Sequence, residues 1–143
     1  MATDRTATVT WQGSLMEGAG TVHEVGSGAF GPLDVSWPSR AEQPNGKTSP
    51  EELIAAAHAS CFAMALAHAL AQAGTPAQQL DTSATVTFQP GEGITRIALS
   101  VRGTVPGLDE AGFAEKATGA KAGCPVSKAL AGVPEITLDA SLA

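Results

Sequence analysis

The chain has little with which to hold a polyanion. Of its 143 residues only 8 are Lys or Arg, against 14 Asp or Glu, a formal net charge of −6. That balance argues against nucleic-acid and anionic-membrane partners. Aromatic residues amount to 4% and Tyr is absent, so no platform for stacking bases is expected. Two cysteines, Cys61 and Cys124, are too few for a disulfide-framework fold. There is no Gly-x-Ser-x-Gly elbow, and the glycine pairs Gly18-Ala19-Gly20 and Gly26-Ser27-Gly28 lack phosphate-binding spacing. The segment from Met1 to Thr6 carries no apolar targeting run, so the cytoplasm is the expected compartment. What the chain does have is 43% hydrophobic residues and only 15% charged ones, the composition of a folded domain rather than a disordered tail. The length suits one domain over residues 1–143.

Period-two alternation marks the strands. Ala7, Val9 and Trp11 alternate with Thr6, Thr8, Thr10 and Gln12. From Leu80 to Gln89, Leu80, Thr82, Ala84, Val86 and Phe88 share one face. Pro90-Gly91-Glu92-Gly93 reads as a turn, and Ile97, Leu99 and Val101 alternate beyond it, so an antiparallel hairpin with one wet face is expected. A last strand alternates Ile136, Leu138, Ala140 and Leu142. Weaker strands are expected over 20–25 and 33–37. The polar stretch from Arg40 to Thr48 reads as an exposed loop, a common site of functional residues.

Ser49-Pro50-Glu51-Glu52 carries a capping box with Pro at the first helical position, and its two carboxylates sit where the helix dipole favours them. The helix it opens should run to about Gly74. The stretch Leu53 to Ala73 is the most apolar of the chain, is built mostly of Ala, and is interrupted by His58 and His68. It reads as a helix surrounded by protein rather than by lipid, and a chain of this size has little material to surround it, which hints at a dimer. Two shorter helices are expected, from Asp109 to about Lys121 and from Cys124-Pro125 to about Gly132. The order β-β-β, long helix, β-β, two short helices, β is an α+β arrangement.

The two thiols are the residues most able to carry chemistry. Cys124 stands at the mouth of a short helix, where amide groups favour a thiolate. Cys61 lies in the third turn of the long helix, too deep for that help. If it reacts it needs a cation from elsewhere, and Arg40 is the candidate. Packing in the core, redox chemistry and metal binding all remain open for it on residue type alone. His58, Cys61 and His68 share a helix stripe, but His68 lies about 10 Å along the axis from Cys61, against zinc–ligand bonds of about 2 Å. No metal site is therefore expected.

The run Thr48-Ser49-Pro50-Glu51-Glu52-Leu53-Ile54-Ala55-Ala56-Ala57-His58-Ala59-Ser60-Cys61-Phe62 resembles the central-helix signature of the osmotically inducible OsmC and organic hydroperoxide resistance (Ohr) family. Lys121-Ala122-Gly123-Cys124-Pro125-Val126-Ser127 resembles its second cysteine motif, and Arg40 in place of an arginine near Gly18-Ala19-Gly20-Thr21 is similar to the OsmC branch. The resemblance implies an α+β OsmC/Ohr-like fold, antiparallel sheets packed on a long central helix, in an intertwined homodimer. It implies a thiol peroxidase that reduces organic hydroperoxides to alcohols. Cys61 would be the attacking thiolate that becomes a sulfenic acid, and Cys124 would resolve it as a disulfide. Arg40 would lower the Cys61 pKa and orient the peroxide, and Glu51 would hold Arg40. The reductant would be a dithiol, lipoyl-type rather than a monothiol, and no cofactor is implied. Glu51 and Cys61 are ten residues apart on one helix, roughly 15 Å, so a shared site would take its carboxylate from the other subunit. Apolar neighbours such as Phe62, Met64 and Leu66 would suit an alkyl peroxide. Alternatives with the same cysteine pair are a redox sensor, which oxidises once, and a small-ligand binder without efficient turnover.

Overall fold

The computed structural model describes residues 1–143, which divide into two compact units, Met1–Leu53 and Ile54–Ala143.

The first unit holds a three-stranded antiparallel sheet, β1 (Val9–Gln12), β2 (Ala19–Val22) and β3 (Leu33–Val35), in the order β1-β2-β3. Trp11 pairs with Gly20, which in turn pairs with Val35. The middle position has to be glycine: a Cβ there would lie 2.7 Å from the Trp11 ring and 2.8 Å from a Val35 methyl. Trp11 thus lies across β2. The chain then enters α1 (Trp37–Ala41), a five-residue helix absent from the sequence reading, so Arg40 stands in its last turn and not in a loop. A reciprocal cap opens α1: the Ser39 amide donates to Ser36 Oγ at 3.2 Å and the Ser36 amide to Ser39 Oγ at 3.0 Å. Ser in place of Glu or Gln, and a helix of barely more than one turn, leave little periodicity to read.

The boundary between the units falls inside α2 (Pro50–Gln72), the long helix. Half of the expected cap is present, the Glu52 amide donating to Ser49 Oγ at 3.2 Å. The Glu52 carboxylate instead accepts the Thr48 hydroxyl at 2.8 Å. At the far end Gly74, at φ +81°, and Thr75 close the helix, the Gly74 amide donating to Ala71 O and the Thr75 amide to Leu70 O. This is the left-handed glycine stop. By length and composition α2 could cross a membrane, and only 22% of its most apolar window is buried within the chain. The expectation of a helix surrounded by protein is therefore not met by one chain alone.

In the second unit β4 (Gln79–Gln89) and β5 (Gly93–Thr104) form the expected antiparallel hairpin, with an irregularity between Thr87 and Phe88. They are followed by α3 (Glu110–Gly123), capped by Asp109, and by α4 (Pro125–Ala129). β6 (Glu135–Leu142) joins β5 in parallel, so this sheet is mixed. The α3–α4 crossover returns the chain to the same end of β5, as a parallel neighbour requires. The alternating faces resolve as read: Ile97, Leu99 and Val101 of β5 are buried opposite Ile136, Leu138 and Ala140 of β6. Phe62, Leu66 and Leu70 of α2 and Phe113, Ala117 and Ala120 of α3 complete one core, which Cys124 joins. The four-residue spacing of Phe62, Leu66 and Leu70 puts them on one helix face, and His58 extends it.

Candidate active site: two thiols and an arginine–carboxylate pair

Cys124 sits where α3 gives way to α4. Pro125 cannot continue the first helix, so Cys124 takes an extended conformation (φ −59°, ψ 124°) and ends one helix while starting the next. Its amide donates to Ala120 O at 2.8 Å and its carbonyl accepts from the Lys128 amide at 3.1 Å. The side chain is fully buried. Cys61, on α2, is half-buried, and both are free thiols.

Both thiols are shifted from their ordinary values, in opposite directions. Burial pushes the Cys61 thiol up, and the neighbouring Cys124 sulfur pushes it the same way, against the opposing pull of the Val126 amide. Burial also works against a Cys124 thiolate, but Cys61, the Ser127 amide and hydroxyl and the Val126 amide together outweigh it and hold Cys124 below the usual thiol range. The direction at Cys124 agrees with the helix-mouth argument from sequence. Of the two thiols, Cys61 is the partly exposed one and Cys124 the buried one.

His58 lies one turn before Cys61 and is wholly buried. Its Nε2 is 2.7 Å from Ser127 Oγ, and its Nδ1 is buried without a hydrogen-bond partner. Burial lowers its pKa and keeps the ring neutral. His68 is exposed, so the histidine–cysteine stripe of the sequence does not converge on a common point. Sequence reasoning weighed His58 only as a metal ligand, because its partner Ser127 is 69 residues away and no local pattern links them.

The other expected pair lies in the first unit. Arg40 Nε donates to both carboxylate oxygens of Glu51, at 2.7 and 3.2 Å. The side chains are 30% and 8% exposed respectively. The guanidinium also approaches the Trp37 ring, 6.0 Å from its centroid. A buried carboxylate accepting from Nε restricts the orientation of the guanidinium. Beside it lies a cavity of about 410 Å³ lined by Trp11, Leu15, Val35, Ser36, Trp37, Arg40 and Pro50. It is an apolar recess with one cation. The neighbours of Cys61 do not supply such a lining: Phe62 and Leu66 are locked in the core and Met64 is 72% exposed. Helical geometry sends side chains three and four residues apart to one face, and these two belong to the core face.

The site residues thus form two pairs, one in each compact unit. Residues 43–139 match the family described as OsmC-like protein. The chain is 44% identical over 135 residues to a peroxiredoxin OsmC of Escherichia coli K12, covering 92% of each. Among solved structures, the organic hydroperoxide resistance protein OhrB of Bacillus subtilis is 26% identical with a TM-score of 0.66, the match covering 96% of this chain and 98% of that one. An OsmC-like protein of Mycoplasma pneumoniae shares the fold at a TM-score of 0.72 and 17% identity, over 99% of each chain.

Proposed function

The chain belongs to the OsmC-like protein family and is a thiol-dependent peroxidase, and on that footing we propose that it reduces organic hydroperoxides to alcohols through Cys61 and Cys124. The observation that carries this reading is the pair of free thiols in one compact unit, Cys61 partly exposed on α2 and Cys124 buried where α3 gives way to α4. The Cys61 thiolate attacks the terminal peroxide oxygen. An S–O bond forms, the O–O bond breaks, and the alkoxide leaves and takes a proton as the alcohol. The Cys124 thiolate then attacks the Cys61 sulfenic acid. An S–S bond forms, the S–O bond breaks, and hydroxide leaves with the proton Cys124 gave up, as water. A dithiol of lipoyl type returns both cysteines to thiols and is itself oxidised to a disulfide.

Burial raises Cys61 within its own chain, so the attacking thiolate needs a cation. Arg40, held by Glu51, is that cation in this reading. Because Glu51 and Cys61 are roughly 15 Å apart along α2, this reading has the pair serve the Cys61 of a second subunit, in a homodimer. The exposed stripe of α2 supports this: Ala56, Ala57, Ser60, Met64, Ala67 and Ala71 leave a largely apolar, small-residue face without a partner in the chain, and such residues let helices approach closely. The recess beside Arg40 suits the hydrocarbon part of an alkyl hydroperoxide better than hydrogen peroxide. Residues 1–143 act as one domain, since the boundary between the units runs through a continuous helix. The protein works in the cytoplasm, without cofactor, nucleic acid or membrane.

Steady-state reduction of cumene hydroperoxide with dithiothreitol tests the reading. Cys61→Ser is expected to abolish turnover, and Cys124→Ser to leave peroxide consumption while a sulfenic acid accumulates that dimedone traps. Turnover retained by Cys61→Ser refutes it.

A further inference from the structure

His58 stands one turn before Cys61 on α2, and Ser127 one turn after Cys124 on α4. Residues so spaced on a helix have Cβ atoms about 5–6 Å apart. The two side chains meet: His58 Nε2 and Ser127 Oγ are 2.7 Å apart, His58 wholly buried and Ser127 8% exposed. The bond thus ties the helix of one thiol to the helix of the other, within a turn of each. The remaining ring nitrogen, Nδ1, has no partner. A lone pair is less costly to orphan than an N–H, so the ring proton sits on Nε2 and His58 donates. Such a bond has a direction that apolar packing lacks. α4 has five residues and no side-chain cap, and Val126 and Leu130 pack against the core. Contacts of that kind are non-directional. A slide of α4 along α2 would instead orphan two buried polar groups. Cys124 would follow the slide, because its carbonyl accepts from the Lys128 amide in the first turn of α4, at 3.1 Å.

We propose that the His58–Ser127 hydrogen bond is a clasp that sets the register of α4 against α2 and so holds Cys124 in reach of the Cys61 sulfenic acid. Both are positioning residues for the second step of the cycle. The inference rests on the reading of Cys61 as the attacking thiol and Cys124 as the resolving one. In that step the Cys124 sulfur attacks the Cys61 sulfur, the S–S bond forms, the S–O bond breaks and water leaves; the clasp gives and takes no proton. Its contribution is geometric. Reacting atoms must come within about 3–3.5 Å, and a misplacement of about 1 Å can cost about 10²-fold in rate. Attack of Cys61 on the peroxide does not use α4, so the first step is independent of the clasp. The clasp also accounts for an imidazole on the helix face of Phe62, Leu66 and Leu70. An apolar side chain there would fill the space but would not fix the register.

Single-turnover kinetics with cumene hydroperoxide separate the two steps. Sulfenic-acid formation is read from peroxide loss, and disulfide formation from the decay of dimedone-reactive sulfenic acid. The wild type is to be compared with Ser127→Ala, His58→Leu, their double mutant and His58→Gln, which keeps an amide N–H near the Nε2 position. Ser127→Ala and His58→Leu are each expected to slow disulfide formation about tenfold, the effect of losing one buried hydrogen bond. Peroxide loss in the same turnover is expected to keep its wild-type rate. Because the two side chains act through one bond, the double mutant is expected to be no more than about twofold slower than the slower single mutant. His58→Gln is expected to restore disulfide formation to within about threefold of the wild type. The inference is overturned by disulfide formation at the wild-type rate in Ser127→Ala, by equal slowing of both steps, by a double mutant that multiplies the single effects, or by His58→Gln as slow as His58→Leu. Failure of the underlying assignment looks different: Cys124→Ser would then form no trappable sulfenic acid in excess of the wild type, whatever happens at Ser127.

Discussion

Removal of the Arg40 guanidinium is the sharpest test of how Cys61 is activated. An ordinary thiol with a pKa of about 8.5 is only about 3% ionised at pH 7, and burial places Cys61 on the unfavourable side of that value. Full ionisation is therefore a gain of at least about 30-fold in thiolate. Part of it is offset because nucleophilicity falls with pKa, with a Brønsted slope of about 0.4–0.5. Such ionisation takes the pKa down by about 2.5 units, over which that offset is roughly 13-fold, which leaves a net gain of about twofold. Charge development on the leaving alkoxide is the larger contribution: one oriented donor there is worth about 10²–10³-fold. Because Glu51 holds Arg40 Nε at 2.7 Å with its own carboxylate 8% exposed, the guanidinium is pre-oriented for this. Arg40→Ala is expected to lower the single-turnover rate with cumene hydroperoxide at pH 7 by more than about 100-fold. The loss should narrow as pH rises toward about 9.5, because base supplies the thiolate but not the donor. Glu51→Gln, which keeps the hydrogen-bond geometry but not the charge, is expected to lose roughly tenfold. If Arg40→Ala stayed within threefold of the wild type at pH 7 while Cys61→Ser was inactive, the assignment of Arg40 would be refuted.

Gly103 faces the Phe113 ring, and a Cβ would lie 2.6 Å from Cζ; since Phe113 is wholly buried, Gly103→Ala is expected to cost about 1–3 kcal/mol, read as a lower urea midpoint at unchanged m. His58 has a folded pKa below its unfolded value of about 6.5. Its contribution to stability is therefore fully present above about pH 6.5 and declines as the pH falls from there toward the folded pKa, by at most about 1.4 kcal/mol per pH unit. His58→Gln is expected to flatten the acid side of the stability curve, and an unchanged curve counts against a buried neutral ring. Met64 lies on the exposed stripe of α2, and Met64→Asp is expected to shift the sedimentation mass from about twice that of the 14.3 kDa chain to that of the chain itself, with peroxidase activity falling in proportion.

Much of this was legible without coordinates because it is local. Alternation along 80–89 and 97–101 reported strand faces, since side chains in a strand reverse every residue. Ser49-Pro50 and Gly74 marked the ends of α2, since unsatisfied amides and left-handed turns need those residues. The two cysteines followed from motifs whose residues are neighbours in the chain. The short helix carrying Arg40 was missed because one turn leaves no periodic signature and its cap uses an unusual serine. The parallel placement of β6 was equally hidden, since a strand's own pattern does not say which end of its neighbour it enters.

By itself, then, the order of residues determined the elements, the wet and dry faces and the two thiols, all set by steric and hydrogen-bonding rules acting within a few residues. Only the tertiary structure decided that Cys124 is buried while Cys61 is partly exposed, that Phe62 and Leu66 belong to the core, and that His58 meets Ser127 across 69 residues. Access, desolvation and long-range hydrogen bonds depend on what the rest of the chain places around an atom, and no local pattern carries that information.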